Sequence, residues 1–165
     1  MTSWTIRPIE EGDQPAIVLL ARGLDKWFNQ EGLAQIARDV NRHGGFVAAR
    51  GDRITGFVTW MPADEDVAVL SWIAVAEFLH RSGIGRALVQ ALAAELRRAG
   101  FRNLEVSTVA DSVDYEPYAR TRHFYRAMGF DDYRVDKGYY GGEDDPYDRL
   151  VMRMDLVGGR RVPSP

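Results

Sequence analysis

Two glycines and two arginines stand at the start of a helical pattern, in the segment His80-Arg81-Ser82-Gly83-Ile84-Gly85-Arg86. A helix N-terminus carries unpaired N–H groups and about half a positive charge, so arginines there are unfavourable unless an anion binds between them. Gly83 and Gly85 would let a phosphate approach the backbone closely. The segment therefore predicts an anion-binding turn. A tight strand-to-helix turn with solvated arginines is the alternative.

Two common phosphate-binding motifs fit this segment poorly. The nucleoside-triphosphate loop needs a lysine and a hydroxyl after its second glycine, and neither is present. The dinucleotide fingerprint needs a small residue where Leu88 stands, and an acid at the end of the next strand. Glu105 lies inside that strand instead. These departures argue against both kinds of nucleotide.

A second chemical feature is the acidic stretch 131–148, which carries seven acids and two bases. Three tyrosines, Tyr139, Tyr140 and Tyr147, are interleaved with the acids. Such a stretch would suit a pocket for a cationic amine, and Asp144 and Asp145 are the acids to test. A polar surface loop is the equal alternative.

Composition excludes several classes of function. The 165 residues suit one domain, predicted at 1–157, with a flexible tail at 158–165. The net charge of −3 argues against a nucleic-acid partner. The chain has no cysteine, and His43, His80 and His123 lack the spacing of metal ligands, so no metal is expected. No apolar run is long enough for a bilayer and the start does not resemble a secretory signal, which predicts a cytoplasmic location and no membrane partner.

Hydrophobic periodicity predicts the elements that must position these residues. Strands are predicted at 4–9, 46–50, 53–61, 66–75, 103–109, 130–135 and 149–157, and helices at 11–24, 31–45, 84–99 and 116–129. This order predicts an α/β fold with a mixed sheet, antiparallel hairpins early and one βαβ crossover in the middle. Trp60 and Trp72, on adjacent strands, are expected in the core.

The segment 72–89, WIAVAEFLHRSGIGRALV, resembles the acetyl-CoA signature of the GNAT superfamily of N-acetyltransferases. The family pattern is Gln/Arg-x-x-Gly-x-Gly/Ala at the start of a helix, and here His80 stands at the first position. RHFYRAMGF at 122–130 is similar to the family's aromatic helix, with Tyr125 at its tyrosine position and Tyr118 where an asparagine is often found. The predicted element order also matches the family fold, which is a mostly antiparallel sheet splayed at its centre.

This resemblance implies direct transfer of an acetyl group from acetyl-CoA to an amine, either a small molecule or a peptide. It places the pyrophosphate at residues 80–86 and pairs the pantetheine arm with the backbone of Ile73, Ala74 and Val75. An N–H near Ile73 would polarise the thioester carbonyl. Tyr125 would protonate the leaving thiolate, although by spacing alone it could equally be a core aromatic.

The base that deprotonates the amine is left open. Some family members use a glutamate on the central strand, but Val69 stands at that position here. Asp111, Asp114 and Glu116 precede the tyrosine helix, and one of them could serve, directly or through water. A solvated acidic loop is the alternative for these three. A non-catalytic sensor of acyl-CoA is the alternative for the whole protein, and a homodimer is left open.

Overall fold

Seven strands form one sheet in the computed structural model, which describes residues 3–158. The strands are β1 (Thr5–Pro8), β2 (Gly44–Arg50), β3 (Arg53–Pro62), β4 (Val67–Val75), β5 (Asn103–Val109), β6 (Asp131–Tyr140) and β7 (Tyr147–Asp155). The helices are α1 (Gln14–Arg22), α2 (Gln30–Asp39), α3 (Ile84–Arg98) and α4 (Glu116–Met128), with a short 3-10 turn at Glu77–Leu79. The predicted order is confirmed. The predicted tail at 158–165 lies almost wholly outside the described residues.

The sheet order is β1-β2-β3-β4-β5-β7-β6, and only the β4–β5 pair is parallel. This confirms the predicted fold class, with α3 as the crossover between β4 and β5. The parallel pairing is short, because it joins only Val67–Val69 to Asn103–Glu105. Beyond Val69 the two strands part, so the sheet is splayed at its centre.

Two hydrophobic clusters stabilise the fold. The larger joins α3 and α4 to the sheet, and the smaller joins α1 and α2 to it. Neighbouring strand residues such as Phe57 and Val58 belong to different clusters, so the clusters lie on opposite faces of the sheet. One face of α3 packs into the core, because Leu88, Leu92 and Leu96 are fully buried. Each contributes roughly 1.5–3 kcal/mol.

Two predicted segments differ in the structure. The helix predicted at 31–45 ends at Asp39, because the N–H groups of Arg42 and His43 both donate to the Asp39 carbonyl and close a turn. The following glycines then pair with β3 as the start of β2. The acidic stretch 131–148 is mainly a hairpin of β6 and β7 rather than a loop, since β6 runs to Tyr140.

Candidate active site

A cleft of about 1110 Å³ opens where β4 and β5 part. Ile73, Ala74 and Val75 of β4 form one wall, and Val106 to Val109 of β5 contribute to the other. The backbone of β4 beyond Val69 has no strand partner on the β5 side, although it stays paired with β3 on its other edge. A ligand with amide groups can therefore lie along β4 as an added strand.

A β-bulge sets the direction of β4 at this point. Trp72 pairs with Thr59 and Leu70 pairs with Trp60, so Ser71 is the extra residue of the bulge. Bulges bend a strand and redirect side chains, and they occur often beside active sites. Here both Ser71 and Trp72 line the cleft. Trp72 therefore packs against the smaller core cluster, as expected, and also lines the cleft, whereas Trp60 packs against the main core cluster.

The turn into α3 forms one end of the cleft. Gly83 is the N-cap of α3 with a φ of 90°, and Arg81 has a φ of 65°, the one non-glycine in the described chain with a positive φ. Such values are rare outside glycine and often mark functional turns. His80, Arg81, Ser82, Gly83, Gly85 and Arg86 all line the cleft. Ile84 does not, because its side chain is buried in the core.

Gly85 is needed for close packing between helices. A Cβ at Gly85 would lie 3.1 Å from the ring of Phe124, which also lines the cleft. The close neighbour here is therefore an aromatic side chain of α4. Gly83 is different, because a Cβ there would meet no atom within 4 Å. The positive φ is what favours glycine at position 83.

His80 points back to its own strand. Its Nε2 lies 2.8 Å from the carbonyl oxygen of Val75, and its ring packs edge-on against Trp27. The imidazole therefore braces the turn between β4 and α3. It also occupies one lone pair of the Val75 carbonyl, which the family resemblance pairs with the pantetheine arm.

Tyr125 of α4 lies in the floor of the cleft. Its ring packs against Phe124 and Phe130, and only 5% of its surface is exposed. Its hydroxyl makes no hydrogen bond to any residue that the structure describes. Burial raises the pKa of Tyr125 far above its ordinary value, because the charged phenolate would lose its hydration. The group therefore stays protonated and can donate.

The acids that the sequence offers as bases lie outside the cleft. Asp111 forms an ion pair at 2.8 Å with Arg122, a buried arginine that also donates to the carbonyls of Val109 and Ala110. Glu116 pairs with Arg120 on the surface of α4. Asp114 is exposed. None of the three acids is among the residues that line the cleft.

The acids of the β6–β7 hairpin are also absent from the cleft wall. Three of them form ion pairs: Asp132 with Arg126, Asp136 with Arg149, and Asp148 with Lys137. Asp144 and Asp145 are exposed at the tip of the hairpin. Of the two alternatives, the structure therefore favours a polar surface over an acid-lined pocket, since these five side chains meet arginine, lysine or solvent.

The tyrosines of the same hairpin are divided between cleft and surface. Tyr140 and Tyr147 line the cleft, with ring centroids 5.4 Å apart. Tyr139 is exposed and lies under the guanidinium of Arg149 at 3.6 Å. Burial raises the pKa of Tyr140 to about 12.

The sequence analysis missed Trp27 and Phe28, which line the cleft. Trp27 and Phe28 lie between α1 and α2, and Tyr118 lies in the first turn of α4. The tryptophan indole donates to the Pro117 carbonyl at 3.2 Å, which ties the two segments together. An aromatic pair in a predicted connection between two helices was the available signal. With Trp72, Tyr140 and Tyr147, these residues form the aromatic end of the cleft.

The charges around the cleft have one sign. Arg81, Arg86 and Arg120 contribute to its wall, and no aspartate or glutamate of the described residues does. A site of this kind favours anionic ligands. Within residues 3–158 no group of three histidine or acidic side chains is placed to hold a metal. No helix in that range is long and apolar enough to cross a membrane.

Comparisons with known proteins agree with this geometry. The chain is 28% identical over 116 residues to the bS18-alanine N-acetyltransferase of Escherichia coli, covering 70% of this chain and 73% of that protein. A crystal structure from Desulfovibrio desulfuricans assigned to the GNAT acetyltransferases matches 94% of this chain and 100% of its own, with a TM-score of 0.83 and 24% identity. A GNAT acetyltransferase from Elizabethkingia anophelis, solved with acetyl-CoA bound, matches 94% of this chain and 99% of its own, with a TM-score of 0.70 and 18% identity.

The family model described as the acetyltransferase (GNAT) family matches residues 7–130. This range covers more than half of the chain and includes α3, both cleft strands and Tyr125. The chain therefore belongs to the GNAT family of acetyltransferases.

Proposed function

We propose that this protein transfers the acetyl group of acetyl-CoA to the α-amine of a peptide or protein N-terminus, in the cytoplasm. The observation that carries the proposal is the cleft between β4 and β5, with an arginine-flanked helix N-terminus at one end and Tyr125 in its floor. The pyrophosphate would bind at residues 80–86, where N–H groups and arginines meet. The pantetheine arm would pair with Ile73, Ala74 and Val75.

The reaction needs no covalent enzyme intermediate. The amine nitrogen attacks the thioester carbonyl, whose developing negative charge is stabilised by a backbone N–H near Ile73. The C–N bond forms, the C–S bond breaks, and the leaving sulfur takes a proton from Tyr125. The raised pKa of Tyr125 keeps that proton in place until the sulfur becomes basic.

The lack of acids in the cleft bears on the acceptor. A lysine-type amine, with a pKa of about 10.4, is less than about a thousandth neutral at pH 7. An α-amine, with a pKa of about 7.7–8.0, is roughly a tenth neutral at the same pH. The described wall of the cleft has cationic and aromatic side chains and no carboxylate that could act as a base. Such a wall suits the α-amine, because a larger fraction of it is already neutral. The E. coli relative, named for acetylating an alanine of a ribosomal protein, supports this choice.

The test is an acceptor panel with acetyl-CoA. Peptides with a free N-terminus, the same peptides with a blocked N-terminus and an internal lysine, polyamines and aminoglycosides are compared by release of free thiol and by mass. We expect acetylation at the N-terminus of the free peptides. Transfer to lysine, polyamine or aminoglycoside alone would contradict the α-amine assignment while leaving acetyl transfer in place. Binding of acetyl-CoA without transfer to any amine would favour the sensor, which the family membership does not favour.

A further inference from the structure

A polar network lies directly behind the β4 wall of the cleft, at Ser71. The Ser71 hydroxyl lies 2.9 Å from Nδ1 of His43 and 2.8 Å from the Thr59 hydroxyl. Nε2 of His43 lies 3.9 Å from Oδ1 of Asp39. Only Ser71 of this group lines the cleft, and Thr59 is fully buried. The network therefore connects the cleft wall to a histidine in the turn after α2.

The carboxylate of Asp39 is held in place by two donors. Gln35 Nε2 donates to Oδ1 at 2.7 Å, and the Trp72 indole donates to Oδ2 at 2.8 Å. The side chains of Asp39 and His43 are 13% and 12% exposed. Two adjacent residues of the bulge, Ser71 and Trp72, thus contact the segment from Asp39 to His43. This arrangement fixes the geometry of a serine, a histidine and an aspartate without making the serine a free nucleophile.

We propose that Ser71 and His43 form the relay that removes the proton from the acceptor amine, with Asp39 as the positioning residue. This inference rests on the proposed function. Ser71 lies two residues before Ile73 on β4, a distance of about 7 Å along a strand. The relay therefore opens beside the place where the thioester carbonyl would lie.

The protons follow one path through these side chains. The ammonium of the acceptor gives a proton to Oγ of Ser71 while the serine proton passes to Nδ1 of His43, and the N–H electron pair stays on the amine. Once the neutral amine has moved on, the imidazolium beside Asp39 passes its Nδ1 proton back to Oγ of Ser71 while the serine proton goes to water in the cleft, which restores the Nε2–H tautomer. After attack, the sulfur takes the Tyr125 proton, and the proton lost by the nitrogen as the amide forms returns to the tyrosine. Acetyl-CoA and an ammonium thus give an amide, free CoA and one released proton.

One charged side chain, Asp39, faces His43 from the elements packed against it. From α2 it faces Asp39, and from β4 it faces the neutral hydroxyl of Ser71, which Thr59 of β3 also binds. β4 has no charged residue, and the charged residues of β2 and β3 are Arg50 and Arg53 at the shared turn, at the other end of these strands. Arg42 adjoins His43 in the chain but is exposed. Asp39 is therefore the one charged side chain that these elements place against the imidazole.

The test is the pH dependence of kcat/KM from pH 6 to 10, with the best amine of the panel. We expect His43→Gln and Ser71→Ala to lower kcat/KM about tenfold at pH 7, because only about a tenth of an α-amine with a pKa of about 8 is neutral there. The deficit should shrink above pH 8–9, because an α-amine with a pKa of about 8 is then neutral without help. Arg42 is exposed and lies outside the cleft, so Arg42→Gln should have the kcat/KM of wild type at every pH. A deficit that is equal at every pH, or no deficit in folded variants, overturns the relay.

A second measurement needs no acceptor. The relay requires neutral His43 to carry its proton on Nε2, so that Nδ1 can accept from Ser71. ¹⁵N chemical shifts of the histidines in wild type, assigned with His43→Gln, report which nitrogen is protonated. A proton on Nδ1 overturns the relay even if the acceptor is identified as proposed. Failure of the peptide panel, by contrast, overturns the proposed acceptor and leaves this tautomer result intact.

Discussion

The two ends of the cleft are built in different ways. The end proposed for the pyrophosphate comes from one short segment, residues 73–86, in which strand, turn and helix follow directly. The aromatic end comes from four separate places: the α1–α2 connection, the β4 bulge, the start of α4 and the β6–β7 hairpin. Local backbone geometry and charge define the first end, whereas packing between distant elements defines the second.

This difference follows from what each end has to recognise. A phosphate is recognised by N–H groups and positive charge, which one helix N-terminus supplies. An acceptor residue is recognised by shape, and aromatic side chains, which bury about 150–250 Å² each, supply contact area from several directions. One end can therefore be read from a motif, and the other only from the fold. Trp27, whose ring packs against His80, lies where the two ends meet.

The largest effect is expected from Tyr125→Phe, which affects the chemistry shared by both ends. The change deletes only a hydroxyl that has no partner among the described residues, so packing against Phe124 and Phe130 should persist. We expect kcat to fall by ~10²–10⁴-fold while CoA affinity and the KM of the acceptor change little. Steady-state kinetics, CoA titration and a melting curve measure this.

The same variant gives a pH test. Because burial raises the pKa of Tyr125, its ionisation lies above the assay range and should produce no alkaline limb between pH 6 and 9. The shape of the profile should therefore be equal in wild type and variant over that range. A folded variant with wild-type kcat would return Tyr125 to a purely structural role.

A smaller effect, confined to the pyrophosphate end, is expected from Gly83→Asp. The left-handed φ costs about 1–2 kcal/mol for a residue with a side chain, but no atom lies within 4 Å of the new Cβ, so the fold should persist. The added charge beside the phosphates should weaken CoA binding roughly 10- to 30-fold, about 1.4–2 kcal/mol, with little change in acceptor KM. Gly83→Asn is the matched control, because it has the same shape and tolerance of this φ without the charge. Calorimetry that shows equal CoA affinity for both variants and wild type would mean that the pyrophosphate does not bind at this turn.

The contrast between the ends also explains what the sequence could predict. The element order, the crossover and the turn at residues 80–86 depend on periodicity and local signals, and the structure confirms the elements. The network of His43 and Ser71 depends on a bulge in β4 and on the end of α2 at Asp39, which no short pattern specifies. The sequence left the acids of 131–148 open between a pocket and a polar surface, because composition does not show that Arg126, Arg149 and Lys137 pair with them.

The aromatic end is tested by Tyr140→Ala, for which we expect the KM of the acceptor to rise about tenfold. Loss of one aromatic contact of about 1.4 kcal/mol corresponds to that factor. CoA affinity should stay within twofold of wild type, because the ring contacts of Tyr140 among the described residues are with Tyr139 and Tyr147 and not with the α3 turn. Tyr139→Ala is the control, since its side chain is exposed beside Tyr140 and does not line the cleft. Equal KM values in the two variants would mean that the hairpin does not contact the acceptor.

The smallest effect is expected from neutralising Asp144 and Asp145 together. The acidic composition of 131–148 would suit recognition of a cationic amine. Both of these side chains, however, are exposed at the hairpin tip, and neither lines the cleft. At 0.15 M salt, charges separated by more than about 8 Å in solvent are largely screened. Asp144→Asn with Asp145→Asn should therefore change the KM of the best amine by less than about twofold. The measurement is KM at 0.02 M and 0.15 M salt, because steering by these charges would appear most strongly at the lower concentration. A severalfold rise in KM at both concentrations would mean that the tip folds over the aromatic end when the acceptor binds, and that this end recognises charge as well as shape.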